Sequence, residues 1–225
     1  MFSKEMEEKM MNLESSKTLG GVGSILMLVG FIPFAGAFTG ILSFVGFILV
    51  LIALNGLAKV YNEKGIFNNF AYSIVACIAG VAVAASVAFI AVVTTLKNFL
   101  YQIYPGWNGN WSDLSGLIPD TTNIDFSDVL PLIGNLLVVV VIVWITAILV
   151  TFFMRKSLKT LAAKTNVGLF STAGLLLLIG AFLTIVFIGF LLIWVAILLM
   201  AIAFFQIKPQ TEQQFTALTP PPAST

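Results

Sequence analysis

Long apolar blocks alternate with short charged ones along the chain. Gly20–Ala58 is apolar apart from scattered Ser, Thr and Asn55. As one straight helix its 39 residues would measure about 58 Å, twice a hydrocarbon core of roughly 30 Å. The block must therefore fold back once, and Pro33, Gly36 and Gly40 mark the turn. Helices are expected near 20–36 and 40–58. Two further apolar runs predict helices near 70–96 and 129–153. Leu169–Ile207 is again 39 apolar residues, with no charge. The same arithmetic requires helices near 168–183 and 186–206, with only Gly180 and Thr184 near the break. The pattern reads as an all-α polytopic membrane protein with six transmembrane helices. Five, with one long tilted or re-entrant element, is the alternative.

Charge placement orients this bundle. With six spans, both termini share one side with Lys4, Lys9, Lys17, Lys59, Lys64, Arg155, Lys156, Lys159, Lys164 and Lys208. Lys97 stands alone on the other, beside Asp113, Asp120, Asp125 and Asp128. The basic side is expected to be cytoplasmic. This divides the chain into a cytoplasmic segment 1–18, a transmembrane domain 19–207 with an outer loop 97–128, and a disordered Pro-, Thr- and Gln-rich cytoplasmic tail 208–225. Residues 2–14 place Phe2, Met6, Met10 and Leu13 at helical spacing, as in a short interfacial helix; a frayed extension is the competing reading. Glu5, Glu7, Glu8 and Glu14 make residues 1–18 too acidic for a signal-peptide leader, so the first apolar block reads as a retained span.

Composition narrows the chemistry. Of 225 residues, 59% are hydrophobic and 9% charged, and the mean hydropathy of +1.05 is that of a membrane protein. A net charge of +1 offers nucleic acid no basic surface. There is no His and one Cys, Cys77. Histidine-ligated metal and Ser–His or Cys–His nucleophiles are therefore absent. No cofactor motif stands out. No Asp, Glu, Lys or Arg falls inside an expected span, which argues against proton coupling.

The remaining motifs each have a structural reading. Ala76, Gly80, Ala84 and Ala88 recur every four residues, a small-residue row that lets another helix approach closely. Cys77 beside them reads as a packing residue. Among polar groups in the spans, Asn55, Asn135 and Thr146 are the candidates for a polar path. Each can equally be a capping, packing or backbone-bonded residue. Tyr101, Tyr104, Trp107 and Trp111 surround Pro105, Gly106 and Gly109 as an interfacial aromatic belt would. Asn110-Trp111-Ser112 is an N-glycosylation sequon, making Asn110 a candidate modification site. Asp120, Asn123, Asp125 and Asp128 could hold a weak cation, or simply form a solvated acidic loop. Arg155–Lys164 can contact anionic lipid, though orientation alone explains its charge. GSILMLVG at 23–30 resembles AGLLLLIG at 173–180, and GFILVLIAL at 46–54 resembles GFLLIWVAI at 189–197. A parallel duplication and shared apolar composition both account for this.

Glu14-Ser15-Ser16-Lys17-Thr18-Leu19-Gly20-Gly21 lacks P-loop spacing. It reads as a helix start at the membrane face, with a Ser or Thr cap and glycines for close packing. Residues 13–21, LESSKTLGG, together with ALNGLAKVY at 53–61, GIFNNF at 65–70 and IGFLLIWVAILLMAIAFF at 188–205, resemble a family of small multi-pass membrane proteins. The family is mainly archaeal and catalogued as a domain of unknown function. The resemblance covers about residues 12–207. It implies a membrane location and brings no substrate or catalytic residue.

Together these features point to an integral membrane protein of the cell membrane, non-catalytic, structural or accessory. Its partners would be the lipid bilayer, another copy of itself or another membrane protein. The alternatives are a solute or ion channel or transporter without proton coupling, and a lipid-acting enzyme using the outer-loop Asp residues.

Overall fold

The computed structural model describes residues 2–31, 37–122 and 124–208. All regular structure among them is helical. The elements are α1 (Phe2–Gly30), α2 (Ala37–Val60), α3 (Lys64–Ala91), a π-helical turn (Val92–Leu96), α4 (Lys97–Ile103), a 3-10 turn (Trp111–Gly116), α5 (Phe126–Thr165), α6 (Leu169–Leu183), a 3-10 turn (Thr184–Val186) and α7 (Ile188–Phe205). Five stretches are long and apolar enough to cross a membrane: Gly40–Val60, Lys64–Ile103, Phe126–Thr165, Leu169–Val186 and Ile188–Phe205.

The helices differ from the expected spans mainly by being longer. The span expected at 70–96 lies within helix that continues from Lys64 to Ile103, and that expected at 129–153 within Phe126–Thr165. An apolar run marks where hydrocarbon would be, whereas a helix ends where its backbone is capped. α2 and α5 each stop at an asparagine in the left-handed region, Asn62 (φ 49°) and Asn166 (φ 56°), the usual C-terminal device after glycine. α5 starts at a capping arrangement. The Asp125 N–H donates to the Asp128 carboxylate at 3.0 Å.

The first helix requires a correction. The element expected at 20–36, with a cap near Ser15–Thr18, is one continuous helix from Phe2 to Gly30; residues 32–36 lie outside those described. The serines are inside the helix, so they do not cap it. Ser24 instead donates its hydroxyl to the Gly20 carbonyl at 2.8 Å. The break between α6 and α7, weakly marked in the sequence, is a 3-10 turn closed by Phe187 at φ 61°. A bulky residue at that angle is strained, at roughly 1–2 kcal/mol.

The chain divides into two compact units, residues 1–74 with 148–225, and residues 75–147. In the first, α1 lies against α2 and α7, and α6 against α7. The core gathers Leu54, Leu57, Ile66, Phe70, Leu158, Leu161, Phe170 and Phe204, all fully buried. Ser157 reaches across from α5 to donate to the Ile66 carbonyl of α3. Small residues set the approach of the helices. A methyl on Gly23 would sit 2.7 Å from the Gly46 carbonyl oxygen, and one on Gly46 would meet the Gly23 carbonyl. Gly20 and Gly21 face the rings of Phe204 and Phe205, and Gly56 faces Ser16. Leu13, Ser16, Gly20 and Ser24 are all buried along one side of α1, so the LESSKTLGG segment is the seam by which α1 joins α2 and α7.

The α6–α7 hairpin repeats this contact. A methyl on Gly180 would lie 3.0 Å from the Gly189 carbonyl oxygen, and one on Gly189 would strike the Gly180 carbonyl. Gly46 and Gly189 occupy matched positions in the two similar segments. Their partners, Gly23 and Gly180, do not: Gly180 matches Gly30, two turns further along.

The second unit holds the C-terminal part of α3, the π turn, α4, the loop and the N-terminal part of α5. Gly80 meets the Thr146 side chain, and Ala84 is buried at 7% exposure.

Replacing Gly46 or Gly189 by leucine is expected to lower stability by about 1–3 kcal/mol through overpacking. Gly40→Ala, where nothing lies within 4 Å of the new methyl, is expected to be neutral or mildly stabilising. Thermal unfolding in detergent reads both. Equal midpoints for the leucine variants and wild type would refute the backbone-contact account.

Candidate functional site

The second unit carries most of the candidate residues. Of the Ala76–Gly80–Ala84–Ala88 row, the last three face α5 of the same unit. Gly80, Ala84 and Ala88 line one wall of a groove of about 290 Å³, and Val139, Val143 and Thr146 line the other. β-Branched side chains opposite Gly and Ala leave this gap because neither wall fills it. The Thr146 hydroxyl lies against Gly80 and donates within its own helix, to the Ile142 carbonyl at 2.8 Å. Ala84 is buried, while Ala76, Gly80 and Ala88 are half-buried, so α5 covers the row in part and the groove stays open beside it. Cys77 on the same helix is exposed.

Asn135 lies less than two turns from Val129, where the apolar run of α5 begins. Its Nδ2 donates to the Thr95 hydroxyl at 2.7 Å. Thr95 belongs to the π-helical turn Val92–Leu96. The neighbouring Thr94 donates to the Ile90 carbonyl at 2.8 Å. A π turn widens the helix and re-aims side chains. Here it presents Thr95 to Asn135 of α5, four residues on from Pro131, the proline inside that helix. Hydropathy gives no sign of a π turn, so sequence reasoning picked out Asn135 and missed its partner.

Between the Asn135–Thr95 pair and Thr146, the groove is lined by Val139 and Val143. No polar path joins the two within this unit among the described residues. Asn55, in the other unit, is half-buried on α2 beside Gly56.

The loop after α4 is an ordered cap. Trp107 is buried at 4% exposure and donates its indole N–H to the Asn110 carbonyl at 2.6 Å. Its ring centroid lies 5.0 Å from Tyr101 and 5.4 Å from Trp111. Lys97 Nζ sits 6.0 Å over the Tyr101 ring. The Asp120 N–H donates to the Ile103 carbonyl at 2.8 Å, tying the loop back to α4.

Local turns employ the acidic residues. Asp113 accepts from Asn108 Nδ2 at 2.7 Å. Asp120 accepts from the Thr122 hydroxyl at 2.5 Å, and this hydroxyl and the Thr122 N–H hold its carboxyl below the usual range. Asp128 belongs to the α5 capping arrangement. These carboxylates do not converge, and the described residues contain no group of three or more potential metal-binding side chains. Asn110 is exposed, its Oδ1 accepting from the Ser112 hydroxyl at 2.9 Å.

In the first unit, Glu63 pairs with Lys164 at 3.1 Å. That hydrogen bond, the Gly65 N–H and the lysine charge hold the carboxyl below its ordinary value of 4.5. The buried Tyr61 hydroxyl has no hydrogen-bond partner among the described residues, and burial pushes its pKa up.

Residues 42–198 match the model of a family described as a protein of unknown function, DUF996. The chain belongs to that family. It is 29% identical over 207 residues to the uncharacterised protein MJ1644 of Methanocaldococcus jannaschii, an alignment covering 91% of this chain and 98% of the relative. The family match begins after the LESSKTLGG element. No solved structure matches the chain.

Two outcomes are expected. A double-mutant cycle on Thr95→Ala and Asn135→Ala, read by unfolding in detergent, should return a coupling of about 0.6 kcal/mol, the usual size of such pairs in membrane proteins; additive effects would mean that the bond contributes nothing. Glu63 has a lowered pKa, so its contribution is present above pH 4.5 and lost as pH falls through the lower folded-state value. Glu63→Gln should remove that part of the acid-side loss of stability, and an unchanged pH profile would count against the pair.

Proposed function

We propose that this chain is a non-catalytic, multi-pass protein of the cell membrane with six spans and both termini cytoplasmic. It works by packing in the bilayer, as an oligomer or as an accessory component of a membrane-protein partner. The observation that carries the non-catalytic reading is how its polar groups are used. Hydroxyls in the apolar helices bond to carbonyls of their own helix, as Ser86 does to Ala82 at 2.8 Å and Thr184 to Gly180 at 2.8 Å. Asn135 donates to Thr95, and Asp113, Asp120 and Asp128 accept within the loop. Polar groups engaged in local structure are less available to line a pore or activate a nucleophile. The five apolar helices support the membrane location, and the ten-to-one division of Lys and Arg supports the orientation. The sixth span is the apolar stretch expected at 20–36, whose described part is the apolar end of α1. Asn110, exposed on the outer loop, is the residue to be glycosylated where the host glycosylates sequons.

Single cysteines in a Cys77→Ala background test this. An impermeant maleimide added to intact cells should label Ser115→Cys in the loop, and should label Ala163→Cys on α5 only after permeabilisation. The reverse pattern would invert the topology. Proteoliposomes should pass ions no faster than empty vesicles, and a flux abolished by Thr146→Val or Asn135→Leu would replace this reading with a channel.

A further inference from the structure

The apolar run of α5 ends at Phe152, Phe153 and Met154, and cations begin immediately after it. Phe152 with Lys156 and Arg155 with Lys159 are four apart, and Phe152 with Arg155 and Lys156 with Lys159 three apart, which puts all four on one face of the helix. That face is open: Lys156 and Lys159 are exposed and Arg155 is half-exposed. Lys156 Nζ lies 4.8 Å over the Phe152 ring. Its charge therefore lies against a ring at the end of the apolar run, at the boundary between the apolar and charged parts of the helix.

The scaffold beneath the charges is fixed. The α carbon of Arg155 would lie 3.2 Å from a methyl on Gly174 of α6, so this part of α5 is pressed against α6. Ser157 is buried and bonded to the Ile66 carbonyl. Beside it, a methyl on Gly65 would be 3.8 Å from Thr160. These contacts bring the first turn of α3, with exposed Lys64, alongside the α5 cations. The nearby acid, Glu63, is paired with Lys164. Among the described residues, Lys64, Arg155, Lys156 and Lys159 make no ion pair.

We propose that the Arg155–Lys156–Lys159 face of α5, extended by Lys64, binds the headgroup phosphate of an anionic phospholipid. Charge complementarity selects an anion, and the position at the end of an apolar run selects a lipid over a soluble phosphate. The proposal rests on the membrane reading above and does not depend on the number of spans or on the orientation.

The test uses the full-length protein in neutral detergent. Retained lipid is counted by native mass spectrometry during titration with dioctanoyl phosphatidylglycerol or dioctanoyl phosphatidylcholine. Wild type should retain the anionic lipid at a concentration lower by about tenfold or more, since each cation near an anionic surface contributes several-fold. Arg155→Gln/Lys156→Gln/Lys159→Gln should lose that preference, and Lys208→Gln should keep it. Lys156→Gln alone, which alters one exposed side chain, should lower the preference even if the triple variant does not fold. Equal retention of the two lipids, or an unchanged preference in the folded triple variant or in Lys156→Gln, would overturn the proposal. Displacement of the anionic lipid by millimolar diphosphate would also overturn it, by identifying a soluble-anion site. A soluble, monodisperse protein without detergent would refute the membrane reading itself.

Discussion

Backbone-to-backbone contact at glycine holds the larger unit together. In lipid, no hydrophobic force drives one apolar helix against another, and association depends on how closely the helices fit. Gly23 against Gly46 and Gly180 against Gly189 remove the side chains that would keep two helix axes apart. Gly20, Gly21 and Gly56 do the same opposite Phe204, Phe205 and Ser16. The large residues of the core, Phe70, Phe170 and Phe204 among them, then fill space whose dimensions the glycines have already set. Hydrogen bonds between helices are few here, with Ser157 to the Ile66 carbonyl the main example.

The smaller unit follows a different plan. Its helices are joined at Gly80 and Thr146 and at Asn135 and Thr95, with a gap between the two contacts lined by Ala and Val. The loop compensates with specific contacts: a buried indole hydrogen-bonded to the backbone, stacked rings, and carboxylates bound within their own turns. The chemistry-bearing side chains are thus mostly part of the loop's construction. That is the physical content of the non-catalytic reading.

Much of the fold was legible in the sequence because membrane helices obey simple arithmetic. Hydropathy and length located the α2, α5, α6 and α7 segments, and both fold-backs followed from the thickness of hydrocarbon. Helix ends were not legible, since hydropathy is silent on capping. Asn62 and Asn166 are residue types that favour such an end, but they lie beyond the apolar runs, and Lys64 or Thr165 gains nothing by leaving the helix at the apolar boundary. The cap expected near Ser15–Thr18 failed for the related reason that a serine in a helix can bond to its own backbone, as Ser24 does. The candidate residues Ala76–Ala88 and Asn135 were visible as types and spacings. Their partners across the hairpin were not, because a π turn and a helix-to-helix register carry no local sequence mark.

The unbroken first helix has a mechanical meaning. From Phe2 to Gly30 it is one helix, a rod of about 44 Å. Its Gly and Ser pairs, the places where such a helix can bend, lie where Gly20 and Gly21 are held by Phe204 and Phe205 and Gly23 by Gly46. The charged half thus leads directly into the stretch whose bending the neighbouring helices restrict.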